Sequence, residues 1–385
     1  MRLFDDINRS DSEYKSEAES HFLYLNRSAR LEAKRVRSVI EEWFSHYPRE
    51  HANELRGTLR SANDYNHQAA FFELFLHELL IRMGCRIKVH PELSHTTRRP
   101  DFLVFQENNR PFYLEATVVT NQSRDVAGAK ARVAKIVDGL NKSMKSDRVF
   151  LGTFPMKVGK RAARVSQITS WLQNRINALD YEELHGIAER GRLPKWVWRR
   201  GDWLIEFTPI PKSPDKINGK IGRVVMGPTE VEWDRSQYSL RDALRRKVRR
   251  YGQLDKPYVI AADVISPTAD SEDVENALMG DEVAIVSETE SGRYSVEPSR
   301  KWNGVWTSEN GPRNTRNSAI LVCMRLGPWS VSFSSVCLYH HPAAKRPYDS
   351  ALTRLPQWKV ENRNRRLIDG NSVREILGLP IGWPE

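Results

Sequence analysis

The chain has 385 residues, of which 39% are hydrophobic and 28% charged, a balance that fits a folded globular protein and excludes a disordered one. Its formal net charge of +11 favours a polyanionic partner, because Lys and Arg displace counterions from phosphates. No apolar run approaches the roughly 18 residues of a membrane span. The opening Met1-Arg2-Leu3-Phe4-Asp5-Asp6 carries no signal-peptide pattern, so a cytoplasmic protein with no membrane partner is expected. The three cysteines, Cys85, Cys323 and Cys337, are odd in number and lack CxxC spacing. They predict small buried side chains rather than a disulfide framework or a zinc site.

Residues 1–15 are polar, and a helix is predicted over 16–44 with Phe22, Leu25, Leu31, Val36, Val39, Ile40 and Trp43 as its apolar points. Pro48 ends it, and a second helix follows at 50–61. The segment 66–83 is the most apolar helix in the chain, and Gly84 stops it. Three strands come next, at 85–90, 101–106 and 111–119. Asn108-Asn109 turns the last two into a hairpin. A helix over 126–144 buries Val133, Ile136, Val137, Leu140 and Met144. Beyond it the pattern predicts strands at 149–154, 203–208 and 223–226, a helix at 162–179 and a Pro/Lys-rich loop at 209–220. A helix at 239–251 carries Leu240, Leu244, Val248 and Tyr251 on one face. The run 258–262 is a buried strand. The tail shows strands near 318–323 and 329–338 and a helix near 371–377, with no linker to separate it. The class is mixed α/β. The predicted partition is a helical extension (1–62), a core with insertions (63–265) and an α+β accessory region packed on that core (266–385).

Pro100-Asp101 opens one strand, and Leu114-Glu115-Ala116-Thr117 lies within the next. A hairpin can bring the Asp101 and Glu115 carboxylates to one edge of the sheet. In the second strand Tyr113, Glu115, Thr117 and Val119 share one face, and Phe112, Leu114, Ala116 and Val118 the other. Glu115 interrupts an apolar run that reads as a central strand, where a carboxylate is costly unless paired or metal-bound. Two carboxylates on neighbouring strands suit a hard divalent cation such as Mg²⁺, which can lower the pKa of a bound water and offset charge on a phosphate under attack.

These elements resemble the PD-(D/E)XK nuclease superfamily. The resemblance implies a restriction-endonuclease-like mixed sheet flanked by helices. It also implies that Asp101 and Glu115 bind Mg²⁺ or Mn²⁺, and that a lysine two positions after Glu115 assists the attacking water. Thr117 stands at that position instead. The preceding helix often supplies a further acidic residue in this family, and Glu73, set among Phe71, Phe72, Leu74 and Phe75, matches that role, with Glu78 as its competitor. His77, one turn after Glu73, reads as a half-buried structural histidine. Lys130 is the first candidate to replace the missing lysine, with Lys88 second, and Thr117 itself could hydrogen-bond the water.

The helix at 239–251 carries Arg241, Arg245, Arg246, Lys247, Arg249 and Arg250 around its apolar stripe, a phosphate-tracking surface or else a solvated face. The cluster Lys195, Trp196, Trp198, Arg199 and Arg200 interleaves aromatic and basic groups, as stacking on unpaired bases would need. Tryptophans packing beneath a loop give the same pattern. The expectation is a Mg²⁺-dependent endonuclease of restriction or defence type, acting on DNA rather than RNA, with a homodimer or defence-system partner proteins left open. The alternatives are a catalytically inactive nucleic-acid-binding module on the same fold, and a structural protein whose acidic cluster is salt-bridged to arginines such as Arg98 and Arg99.

Overall fold

The computed structural model describes residues 1–120, 124–144, 146, 148–213, 225–226, 236–266, 268–288, 294–361 and 364–385. Residues 1–13, 20–121 and 234–385 form one compact unit, and 14–19 with 122–233 form a second.

The first unit opens with α1 (His21–Arg27), α2 (Leu31–His46), α3 (Arg49–Leu59) and α4 (Asp64–Arg82), followed by β1 (Arg86–Val89), β2 (Phe102–Phe105) and β3 (Phe112–Thr120). The predicted helix over 16–44 is two helices. Ser28 adopts extended geometry between them, and the buried Arg37 guanidinium holds the break by donating to the carbonyls of Leu25 and Ser28. Helix α4 starts where the Asn63 side chain accepts from the amides of Tyr65 and Asn66. It stops at Gly84, whose φ of 81° favours a residue without a Cβ. Between these ends it is apolar nearly all round, as a fully enclosed helix must be, and Phe71, Phe72, Leu74, Phe75, Leu76, Leu79 and Leu80 are all completely buried. Each such side chain contributes roughly 1.5–3 kcal/mol of burial.

The second unit contains α5 (Arg124–Ser143), β4 (Val149–Lys157), α6 (Val165–Asn177), α7 (Tyr181–Glu189), β5 (Trp196–Arg200), β6 (Trp203–Pro211) and β7 (Val225–Met226). Its four strands lie in the order β5-β6-β4-β7. Leu140, Leu151, Ile168, Leu172 and Phe207 form its core. The predicted 162–179 helix ends early, and α7 follows it, begun by an Asp180 side chain that accepts from the amide of Glu183. The aromatic and basic residues 196–200 form a strand, in which Trp198 alone is buried. Residues 214–220 of the predicted loop and 223–224 of the predicted strand lie outside the described residues.

The chain then returns to the first unit with α8 (Ser236–Lys247), β8 (Tyr258–Ile265), α9 (Ser271–Met279), β9 (Glu282–Glu288), β10 (Tyr294–Arg300), β11 (Thr307–Ser308), β12 (Gly311–Pro312), β13 (Ala319–Met324), β14 (Ser335–His340), β15 (Gln357–Glu361), β16 (Asn364–Ile368) and α10 (Val373–Leu377). An eight-stranded mixed sheet organises this unit, in the order β1-β2-β3-β8-β13-β14-β15-β16. The predicted β2–β3 hairpin forms with Phe102 opposite Leu114, and β8 runs parallel to both β3 and β13.

The predicted partition at 62 and 265 gives way to this arrangement. Residues 266–385 are not an accessory region, because they supply half of the strands of the main sheet. The physical reason is visible in β13: all six residues of Ala319–Met324 are buried, which requires a central position between two neighbours. One face of the sheet packs against α1, α2, α3, α4 and α10, and the other against α8 and α9. Among the described residues no helix is long and apolar enough to cross a membrane.

Candidate active site

The alternation along β3 decides where its carboxylate goes. Leu114 and Val118 join the core beneath α4, whereas Tyr113 and Val119 join the core beneath α8. Glu115 therefore faces α8, and it is 1% exposed. There it meets Lys247, whose Nζ lies 2.6 Å from Glu115 Oε1 and 2.9 Å from the carbonyl oxygen of Ala116. Tyr251 donates its hydroxyl to Oε2, and Arg250 Nε stands 3.5 Å from Oε1. Burial, followed by the negative charge of Glu115, holds the Tyr251 hydroxyl well above its usual range, so it remains a donor.

Local sequence explains the delivery of that ammonium. Leu240, Ala243, Leu244 and Val248 pin α8 and the turn after it to the sheet. Lys247 falls three positions after Leu244, at the edge of this stripe. Its stem can pack there while its head reaches the strand. Tyr251 follows one helical turn later.

Asp101 lies just before β2, and its backbone and side chain are both tied down. Its carbonyl accepts the amide of His90 at 2.9 Å, and its Oδ2 accepts the amide of Ala116 at 2.6 Å. Its Oδ1 has no hydrogen-bond partner among the described residues. Burial first, then the charges of Glu115 and Glu73, push its carboxyl up to about 8, against the pull of the Ala116 amide and of Lys247. Asp101 thus feels both carboxylates.

Glu73 belongs to the other face. Tyr47 donates to its Oε1 at 2.5 Å, and His90 Nε2 lies 3.9 Å away. Burial raises its carboxyl above the ordinary range, partly offset by the Tyr47 hydrogen bond. Glu73, Tyr47, His51, His90, Asp101 and Thr117 line a cavity of about 240 Å³.

The expected three-carboxylate set of Glu73, Asp101 and Glu115 is not assembled. Among the described residues no group of three His, Cys, Asp or Glu side chains is arranged to hold a metal ion. The cause is the pleat, since α4 packs on the face that Glu115 turns away from. A smaller donor set remains: Mg²⁺ is commonly held through one or two carboxylates with water and substrate phosphate completing its shell. Asp101 and Glu115 fit that pattern, and burial first, then the neighbouring carboxylates, disfavours the charged form of Asp101, which a bound cation would offset.

The other candidates sort clearly. Glu78 is fully buried and satisfied by Arg82 at 2.7 Å and His46 at 2.8 Å, which removes it as a competitor to Glu73. His77 is buried against Tyr47 and Phe102, and that burial lowers its imidazole to about 4, so it stays neutral. Lys88 is exposed on β1. Lys130 belongs to α5 in the second unit, whereas the lysine joined to Glu115 is Lys247. Arg99 pairs with Glu92, and Arg98 donates to the carbonyl of Arg250, so neither salt-bridges the acidic pair.

The six basic residues at the end of α8 do not form one surface. Arg241 is buried against Asp281 and the carbonyl of Asn276, and Arg245 donates to the carbonyl of Asn303 at 2.6 Å. Lys247 and Arg250 turn to Glu115. Arg246 and Arg249 alone among the six are exposed without a hydrogen bond or ion pair among the described residues.

Lys247 and Tyr251 were legible only as members of the basic helix and of its apolar stripe. The available signal was their position at the stripe's edge, combined with the face that Glu115 takes in β3. No family model matches the chain, and no curated protein or solved structure matches it either.

Proposed function

We propose that the first unit is a Mg²⁺- or Mn²⁺-dependent nuclease of the PD-(D/E)XK type, hydrolysing phosphodiester bonds in DNA, with its lysine supplied by α8 instead of β3. The observation that carries this reading is the Lys247 ammonium, 2.6 Å from a buried Glu115 whose charge is felt by the buried Asp101. Asp101 and Glu115 would hold the cation, which supplies an acidified water and offsets phosphate charge when bound. Lys247 contributes the positive charge that Thr117 lacks, set where charge develops on the attacked phosphate. Tyr251 orients Glu115. Arg246 and Arg249 are free to meet backbone phosphates. A restriction or defence role, with a second copy or defence proteins as partners, extends the same reading.

The test is cleavage of single- and double-stranded DNA and RNA with Mg²⁺ or Mn²⁺ by wild type and by Asp101→Asn. Metal-dependent cutting by wild type, lost in a folded Asp101→Asn, is the expected result. One feature favours a second reading, a binding module without catalysis: both Glu115 oxygens already have partners in Lys247 and Tyr251. Nucleic-acid binding by wild type with no cutting of any substrate would select that reading.

A further inference from the structure

The second unit holds a cavity of about 350 Å³ at the β5–β6 turn, lined by Arg161, Arg164 and Arg200 together with Gln167, Asp202 and Trp203. The turn Gly201-Asp202 brings Arg200 to the rim. The backbone of Arg161 is fixed, because its carbonyl accepts the Trp203 indole N–H at 2.8 Å. The backbone closes tightly here: a Cβ on Gly159 would lie 2.3 Å from Trp203 Nε1, so only glycine lets this loop reach the ring. Arg164 precedes α6, whose first turn has no acidic residue to meet it.

Three arginines thus line one cavity, all of them exposed. None of their side chains has a hydrogen bond or ion pair among the described residues. The single carboxylate present, Asp202, accepts the backbone amide of Lys160 at 2.8 Å and is held below its ordinary range by that bond. Arg241 and Arg82 are answered by the carboxylates of Asp281 and Glu78, whereas Arg161, Arg164 and Arg200 are exposed around the cavity with no partner carboxylate among the described residues. Three exposed, unpaired arginines around one cavity offer it a concentrated positive charge that an anion from solvent can meet. Guanidinium forks match phosphate oxygens in geometry as well as charge, and Gln167 adds a neutral donor. Trp198 and Trp203 are buried, so the walls offer no face for a base to stack on, and recognition falls on phosphate.

We propose that this cavity is a phosphate-binding site, and that its ligand is a backbone phosphate of a nucleic-acid chain. The phosphate site stands on the geometry of the second unit alone; the choice of a nucleic acid as its source rests on the nuclease reading of the first unit.

The test is binding of a short fluorescent single-stranded oligonucleotide, by wild type and by the triple variant Arg161→Gln, Arg164→Gln, Arg200→Gln, across a salt series without divalent cation. The three side chains reach solvent, so the variant should keep wild-type circular dichroism. Affinity should fall at least ten-fold, and the slope of log affinity against log salt should drop by about 0.7 per phosphate released. Arg200→Lys should retain part of the affinity, because it keeps the charge and loses the fork. Unchanged affinity and slope in the triple variant would overturn the proposal. Inorganic phosphate and a nucleoside monophosphate are titrated in parallel. If they bind wild type and not the triple variant while the oligonucleotide binds neither, the nucleic-acid source is overturned and the phosphate site stands. Cutting activity that fails while this triad-dependent binding persists would sink the nuclease reading alone.

Discussion

The two faces of the eight-stranded sheet treat buried carboxylates in opposite ways. On the α8 face Glu115 is enclosed and answered by an ammonium, a guanidinium and a phenol. On the α4 face Glu73 has a neutral tyrosine and a distant imidazole, and Asp263, 0% exposed on β8, has only the Gln68 amide at 2.7 Å. Burying an unpaired charge is far costlier than burying a paired one, so the α4-face groups are driven toward their neutral forms, while Glu115 is given ion-pair partners. A carboxylate that holds a fixed cation in place is suited to electrostatic work on a phosphate. One that is driven to protonate is suited to proton storage or to structure.

The comparison is broken or sharpened by substitution, and the largest effect should come from Asp101, which feels both faces. Asp101→Asn should lower cleavage at least about a hundred-fold in a turnover assay with Mg²⁺, by removing the charge that completes the cation site. Second in size is Lys247. Removing one partner of a buried ion pair costs roughly 3–5 kcal/mol, so Lys247→Met is compared with Lys247→Met/Glu115→Gln, which leaves no orphan charge. Both should turn over at least ten-fold more slowly, corresponding to about 1.4 kcal/mol of barrier. The double variant should recover the thermal midpoint that the single one loses. By contrast, Glu73→Gln should change turnover less than about three-fold. If Glu73→Gln proves as damaging as Lys247→Met, the catalytic face has been assigned wrongly.

A smaller effect is expected on the outer side of α8. Arg246→Glu with Arg249→Glu should reduce the salt slope of duplex binding by about 0.9 for each phosphate that the helix no longer neutralises. Arg241 and Arg245 should be left intact, since their guanidiniums hold neighbouring backbone in place. A salt slope equal to that of wild type would make this a solvated helix end.

Much of this was readable in the sequence, and the failures have physical causes. The apolar run around Phe71–Leu80 announced α4, and Asn108-Asn109 announced the β2–β3 hairpin; Asn108 adopts the positive φ of 61° that such turns require. Asp101 and Glu115 stood out because carboxylates in apolar strands need a reason. The face of Glu115 was legible too, since the period of a strand fixes it. The identity of its partner was not. Lys247 is 132 positions away, and the segment between contains residues 122–233, the larger part of the second unit. Local patterning carries no information about such a pairing. The basic helix misled for a related reason: charge counting cannot separate Arg241, which is buried on Asp281, from Arg246, which is exposed. The tail was illegible because its strands join the main sheet only through the long-range parallel pairing of β13 with β8, on which β14, β15 and β16 then build in turn.

The smallest expected effect concerns Asp263 and is a matter of stability alone. It lies opposite Val118 on β3 and Cys323 on β13, in the middle of the sheet. Gln68 Nε2 donates to its Oδ2, and Oδ1 has no partner among the described residues. Burial pushes its carboxyl up to about 7, with the Gln68 bond acting in the opposite direction. The ordinary value is 3.8. The folded state therefore holds this proton more tightly than the unfolded state does. Below about pH 4 both states are protonated and the group carries no penalty. As pH rises from there to about 7 the unfolded chain ionises while the folded one resists, and stability falls. Above 7 the penalty is complete, on the order of a few kcal/mol. Asp263→Asn keeps the shape and the Gln68 contact and removes the ionisation. Wild type and variant should melt alike near pH 4. At pH 8 the variant should melt several degrees higher, since each kcal/mol is worth roughly 2–4 °C in a unit of this size. Parallel melting curves for the two proteins from pH 4 to pH 8 would show that Asp263 is stabilised by a partner beyond Gln68, and the contrast between the two faces would then rest on Glu73 alone.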